Sequence, residues 1–148
     1  MTHVQRRRLL AAGALCVVSV SPARAAAFDP ALTAAISAWA GSAPVQTGRV
    51  TLDIAQLVDN GNAVPVAVRV ASPMTTADHV REIAIFNERN PQRDVARFQL
   101  SPANGRAEVA TRIRLATSQH VVALARMSDG SVWQHSVDVL VTLAACIE

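Results

Sequence analysis

Two hydrophobic periods divide the chain. In FDPALTAAISAWAG (28–41), Leu32, Ile36 and Trp39 recur at helical spacing and mark one apolar stripe. Asp29 is a good N-cap, Pro30 is tolerated at the first helical position and Gly41 supplies a stop, so this stretch predicts a short helix. After Pro44 the period drops to two. Val50, Leu52 and Ile54 alternate with Thr51 and Asp53. Val64, Val66, Val68 and Val70 share one face, with Pro65 and Arg69 on the other. Pro65 cannot donate to a ladder, which predicts an edge strand or a bulge there. VREIAIFN (80–87) and VARFQL (95–100) are the next strand candidates. Ala107, Val109, Thr111, Ile113 and Leu115 then face one way, and Glu108, Arg112 and Arg114 the other. HVVALARM (120–127) follows, then a long strand from Val132 to Leu143 with Val137, Val139, Val141 and Leu143 on one side. DNGN (59–62), SPANG (101–105) and SDGS (128–131) punctuate the strands as turns. The first is the strongest of these, because Asn and Gly accept positive φ.

Seven short strands separated by turns predict an all-β, antiparallel β-sandwich with a short N-terminal helix. Aromatic residues make up 3% of the chain, so the core is aliphatic. Trp39 reads as packing. No repeat or second domain interrupts the pattern.

Residues 1–26 stand apart from it. QRRRLL precedes an apolar run from Leu9 to Val20 and then the small residues of SPARAAAF, the layout of a secretory signal peptide. The run is too short to cross a bilayer, which takes about 20 residues. Arg6 and Arg7, followed by Leu9 and Leu10, resemble a twin-arginine signal, which exports folded cargo; an ordinary Sec signal is the alternative. Cys16 is signal filler, since Leu15 stands where a lipoprotein signal needs a small residue. The expected mature protein is periplasmic or secreted, with cleavage after Ala25, Ala26 or Ala27.

Cleavage changes the charge. The formal +3 of the whole chain comes from fourteen basic residues, all arginine. Arg6, Arg7, Arg8 and Arg24 leave with the signal, so ten arginines remain against eleven acids, a net charge of −1. Nucleic acid is therefore not an expected partner, and neither is a membrane.

Candidate chemistry is sparse. His79, His120 and His135 lack short ligand spacing, and one mature cysteine cannot build a thiolate cage, so no metal or other cofactor is expected. The mature glycines stand singly among turn residues and make no phosphate loop. Asp129, His135 and Ser136 offer a trio of the kind any β protein of this size contains. Arg69, Arg97, Arg112 and Arg114 read as a solvated face. Cys146 remains, three residues beyond Leu143 and followed by Ile147 and Glu148. A lone cysteine in an oxidising compartment is free, paired between chains, or chemically used. With ordinary acidity its thiol stays mostly protonated at neutral pH, a handle for a partner rather than a self-activated nucleophile.

NGNAVPVAVRVASPM (60–74), IAIFNERNPQRDVARFQLSPANGRAEVATRIRLATSQHVVALARMSDGS (83–131) and the last strand with its cysteine resemble SoxY, the sulfur-compound carrier subunit of the bacterial thiosulfate-oxidising Sox system. The resemblance implies an immunoglobulin-like sandwich (27–143) that pairs with a SoxZ subunit, followed by a cysteine tail (144–148). It implies a non-enzymatic carrier whose Cys146 holds sulfur intermediates covalently. It further implies visits by that thiol to a SoxAX-type c-type cytochrome, a SoxB-type hydrolase and a SoxCD-type sulfane dehydrogenase.

The chain departs from the family in one place. Where the family tail is glycine-rich around its cysteine, Ala144 and Ala145 precede Cys146, and Ile147 and Glu148 follow. Added methyl groups and a β-branched neighbour restrict a backbone that must thread a narrow channel. The alternative is a SoxY-like binding or assembly module, in a setting such as a quinoprotein dehydrogenase pathway, with Cys146 vestigial or in an interchain disulfide.

Overall fold

The computed structural model describes residues 27–144. The expected signal peptide, with Arg6, Arg7 and Cys16, lies outside the described residues. Helix α1 spans Pro30–Ala40. It starts where the Asp29 carboxylate accepts from the Ala31 amide at 2.8 Å. It stops at Gly41, whose φ of 66° suits a residue without Cβ and whose amide donates to the Ser37 carbonyl.

Nine strands follow: β1 (Val45–Thr47), β2 (Val50–Asp53), β3 (Leu57–Val58), β4 (Val64–Val70), β5 (Val80–Asn87), β6 (Asp94–Gln99), β7 (Glu108–Ile113), β8 (Gln119–Met127) and β9 (Val132–Val141). They form an immunoglobulin-like sandwich of two sheets. One runs β1-β9-β8-β5-β6 with β3 also on β9; the other runs β2-β4-β7. Every strand expected from alternation is present. The two additions, β1 and β3, are three and two residues long, too short to display a period. Both pair with β9 in parallel, the exception to an otherwise antiparallel ladder. The chain thus touches β9 at β1, leaves for the other sheet as β2, and returns as β3.

Alternation decides which side chains go inside. On β4, Val64, Val66, Val68 and Val70 are buried while Pro65 and Arg69 are exposed. They join Leu52, Ile113, Leu115, Ile83, Ile85, Val121 and Val139 in the space between the sheets. β5 and β8 carry nearly continuous apolar runs because both of their faces are covered. Their second face packs Ala84, Phe86, Val122 and Leu124 against Leu32, Ile36 and Trp39 of α1. Trp39 is 7% exposed, and its indole donates to Glu82 Oε1 at 3.3 Å.

Three local expectations change. β4 is the central strand of its sheet, yet β2 ends opposite Ala67, so at Pro65 the ladder has a neighbour only on the β7 side and the missing N–H is harmless. The turn at 59–62 forms without positive φ: among the described non-glycine residues only Met74 has one, and Gly61 is not among the positive-φ glycines. The Asn60 side chain closes the turn instead, accepting from the Asn62 amide at 2.9 Å. Finally, β9 stops at Val141, and Leu143 turns out to solvent rather than continuing the inward face.

Candidate functional site

The end of β9 carries the candidate cysteine. Cys146 lies outside the described residues, two positions beyond Ala144, so the site is built from its root. The Leu140 amide donates to the Gln56 carbonyl at 2.7 Å, and the Thr142 amide to the Val58 carbonyl at 3.0 Å. These bonds are the β3 pairing, which sets Leu57 opposite Leu140 and Val58 opposite Val141. On the other side the Val141 amide donates to Ser118 Oγ at 2.9 Å. Two residues past the strand, the Gly61 amide donates to the Leu143 carbonyl at 2.8 Å, and the Gly61 carbonyl accepts from the amide of buried Leu115 at 2.9 Å. The Thr142 hydroxyl donates to the Asp59 carbonyl at 3.1 Å. The backbone is therefore fixed through Leu143 and exposed at Ala144.

The side chains at this end behave oppositely. Among the described residues, the exposed large hydrophobic side chains are Leu57, Leu140 and Leu143, at 58%, 57% and 60% of full accessibility. All three belong to the root of the segment that carries Cys146. Sequence reasoning does not reveal them as a group, since Leu57 lies in a strand too short to show a period and the alternation of β9 puts Leu143 inward. The signal that was available is the turn DNGN, which docks on the end of β9 rather than merely linking two strands.

The remaining candidates have structural work. His79 Nδ1 pairs with the Thr75 carbonyl at 3.0 Å, His120 Nδ1 with Glu88 Oε2 at 3.0 Å, and His135 Nδ1 accepts from the Leu52 amide at 2.9 Å. The trio of Asp129, His135 and Ser136 does not assemble. Asp129 accepts from the Ser131 amide and hydroxyl in its own turn, and His135 and Ser136 are successive residues on β9 that face opposite ways. The two Ser131 bonds hold Asp129 below the ordinary carboxylate range. Arg69 pairs with Glu108 and Asp53 across its sheet face, and Arg97 with Asp94 and Glu82. Arg112 and Arg114 sit exposed on the same side of β7 and the residue after it. Among the described residues no group of three His, Cys, Asp or Glu side chains could hold a metal ion, and no helix is long and apolar enough to cross a membrane.

One buried charge ties the helix to the sandwich. Glu88, 6% exposed, accepts from the Asp29 amide at 2.9 Å, from the His120 amide at 3.3 Å and from the His120 ring. Burial pushes its carboxyl up, and these hydrogen bonds outweigh that push, so the net shift is below the usual glutamate value. Phe28 stacks edge-on against His120 at 5.5 Å over this knot.

Comparison with known proteins gives the arrangement a context. The model of the family described as Sulfur oxidation protein SoxY matches residues 36–146, a span that ends on Cys146. The structure of the sulfur carrier protein SoxY from Chlorobium limicola f thiosulfatophilum superposes with a TM-score of 0.63 at 29% identity, covering 76% of this chain and 96% of that one. A superoxide reductase (neelaredoxin) from Ignicoccus hospitalis superposes at 0.56 with 18% identity, covering 64% and 80%. The superoxide reductase from Nanoarchaeum equitans gives 0.55 with 11% identity, covering 65% and 100%. At such identities the reductases share the fold alone. No curated protein matches the chain.

Proposed function

The chain belongs to the SoxY family, and from that premise we propose that it carries sulfur intermediates covalently on the thiol of Cys146 during thiosulfate oxidation. The observation that carries this reading is the family match running through Cys146, two residues beyond the exposed Ala144 that follows a backbone fixed at Leu143. A thiol on this segment would be a substrate for other proteins to modify, in keeping with the family's carrier role. On this reading the chain is a sulfur carrier subunit rather than an enzyme.

The chemistry required of partners follows. Joining the Cys146 thiolate to the outer sulfur of thiosulfate forms one S–S bond and releases two electrons. The thiol proton leaves to solvent or to a base on the partner. A redox protein must take the electrons, which fits a c-type cytochrome of the SoxAX kind. A hydrolase of the SoxB kind would then cleave sulfate from the adduct with water, and a SoxCD-type dehydrogenase would oxidise the sulfur that remains. A SoxZ-like subunit pairs with the sandwich. The twin-arginine-like signal around Arg6 and Arg7 would deliver the folded pair to the periplasm.

Mass spectrometry of the non-reduced protein tests the reading: sulfur adducts are expected on Cys146 and absent from Cys146→Ser. Thiosulfate oxidation that proceeds as fast with Cys146→Ser as with wild type would sink it. Partner binding that survives removal of residues 144–148 with no loss of pathway activity would point to an assembly module instead.

A further inference from the structure

We infer that Leu57, Leu140 and Leu143 form the docking surface for the enzymes that load and unload Cys146, and that those enzymes present an apolar rim around the entrance to their active site. The inference rests on the carrier reading above and adds to it the face that partners must cover.

Chain length is the argument. The backbone is tied down through Leu143, whose carbonyl accepts from Gly61 at 2.8 Å. Cys146 follows Ala144 by two residues, and two residues of polypeptide span at most about 7 Å. No catalytic group can meet the sulfur without the protein bearing it lying against the end of β9. Isolated exposed leucines are ordinary on a protein surface. Here two of the three, Leu57 and Leu140, are register partners across β3 and β9, and Leu143 follows Leu140 by three residues just past the end of β9. Leu140 shares its side of the sheet with Val132, which α1 covers, but lies eight residues further along the strand, where it stands 57% exposed. Ala144 and Ala145 sharpen the requirement, because they leave the segment fewer conformations in which to reach a misplaced group than glycines would. The partner's reactive group must therefore sit roughly one arm's length, about 10 Å or less, below its rim.

The test uses the chain co-purified with its SoxZ-like subunit, thiosulfate, and the oxidised c-type cytochrome that accepts the electrons. Wild type is compared with the triple variant Leu57→Ser, Leu140→Asp, Leu143→Ser. Leu140→Ser alone changes a single exposed side chain and carries the same test should the triple variant unfold. Adduct formation on Cys146 at limiting enzyme should slow at least tenfold in the triple variant and severalfold in Leu140→Ser. Alkylation of Cys146 by iodoacetamide and co-elution with the SoxZ-like subunit should stay as in wild type. Enzymatic loading at the wild-type rate overturns the proposal. Loss of the SoxZ-like subunit would assign the leucines to that subunit, and loss of a wild-type self-association would assign them to a second copy; either overturns it as well. A wild-type chain that acquires no adduct at all refutes the carrier reading itself, a result obtained without any leucine variant.

Discussion

The middle of the large sheet and the end of β9 use opposite means to hold a strand in place. Around β5 and β8, side chains do the holding. Ala84, Phe86, Val122 and Leu124 are at most 2% exposed, with α1 over them and the second sheet beneath the alternate residues. At the end of β9 the backbone does the holding, through bonds to Gln56, Val58 and Gly61, while Leu57, Leu140 and Leu143 stay bare. Apolar cover resists unfolding but hides whatever it touches. Hydrogen bonds to a neighbouring loop fix a position and leave the surface open, which is what the proposed carrier role would ask of the residues just before Cys146.

The contrast can be broken most directly at Phe86. Truncation to alanine empties a site packed between helix and sheet, and a loss of about 3–5 kcal/mol is expected from denaturant unfolding. Leu140→Ser should change stability by no more than about 0.5 kcal/mol in the same assay. Comparable losses at the two positions would mean that the leucines are structural and that the two regions do not differ.

A second measurement concerns the seam where helix meets sandwich. Glu88→Gln removes the charge that accepts from the Asp29 and His120 amides and from the His120 ring, with an expected cost of about 1–3 kcal/mol at neutral pH. The pH dependence has a fixed sign. Folding holds the Glu88 carboxyl below its unfolded value, so the stabilisation is whole above that unfolded value and drains away as pH falls through the folded one. The wild-type chain should therefore lose stability on acidification faster than Glu88→Gln. Parallel acid limbs for the two proteins would remove Glu88 from the set of groups that hold α1 in place.

Alternation made most of the fold legible. The Val64–Val70 and Ala107–Leu115 stripes point inward as their periods require, and Asp29, Pro30 and Gly41 bound the helix they announce. What escaped was short or depended on distant chain. Leu57–Val58 cannot show a period in two residues, and its pairing with β9 spans more than eighty positions. The DNGN turn was visible as a turn, but its grip on Leu143 was not, because a hydrogen bond from Gly61 to a carbonyl that far along leaves no local trace. For the same reason Leu143 continued an inward stripe on paper, whereas the strand ends two residues before it. Cys146 stands out in the sequence as a lone cysteine but lies outside the described residues, while the leucines near Ala144 needed the fold to be seen together.

The most local expected effect probes the end of β9 itself. The Thr142 hydroxyl donates to the Asp59 carbonyl at 3.1 Å, next to the bond from the Thr142 amide to Val58. Thr142→Val keeps the shape and the strand preference and removes only that donor. Because the residue is exposed, water can take over at Asp59, so global stability should fall by about 0.5–1 kcal/mol at most. The informative quantity is local. If the loop at 59–62 clamps the end of β9, hydrogen exchange at the Gly61 and Thr142 amides should quicken in the variant while the amides of β5 and β8 keep their protection. Unchanged exchange at Gly61 would mean that this hydroxyl contributes nothing to the clamp, and that the Gly61–Leu143 bond and the β3 pairing alone hold the end of β9.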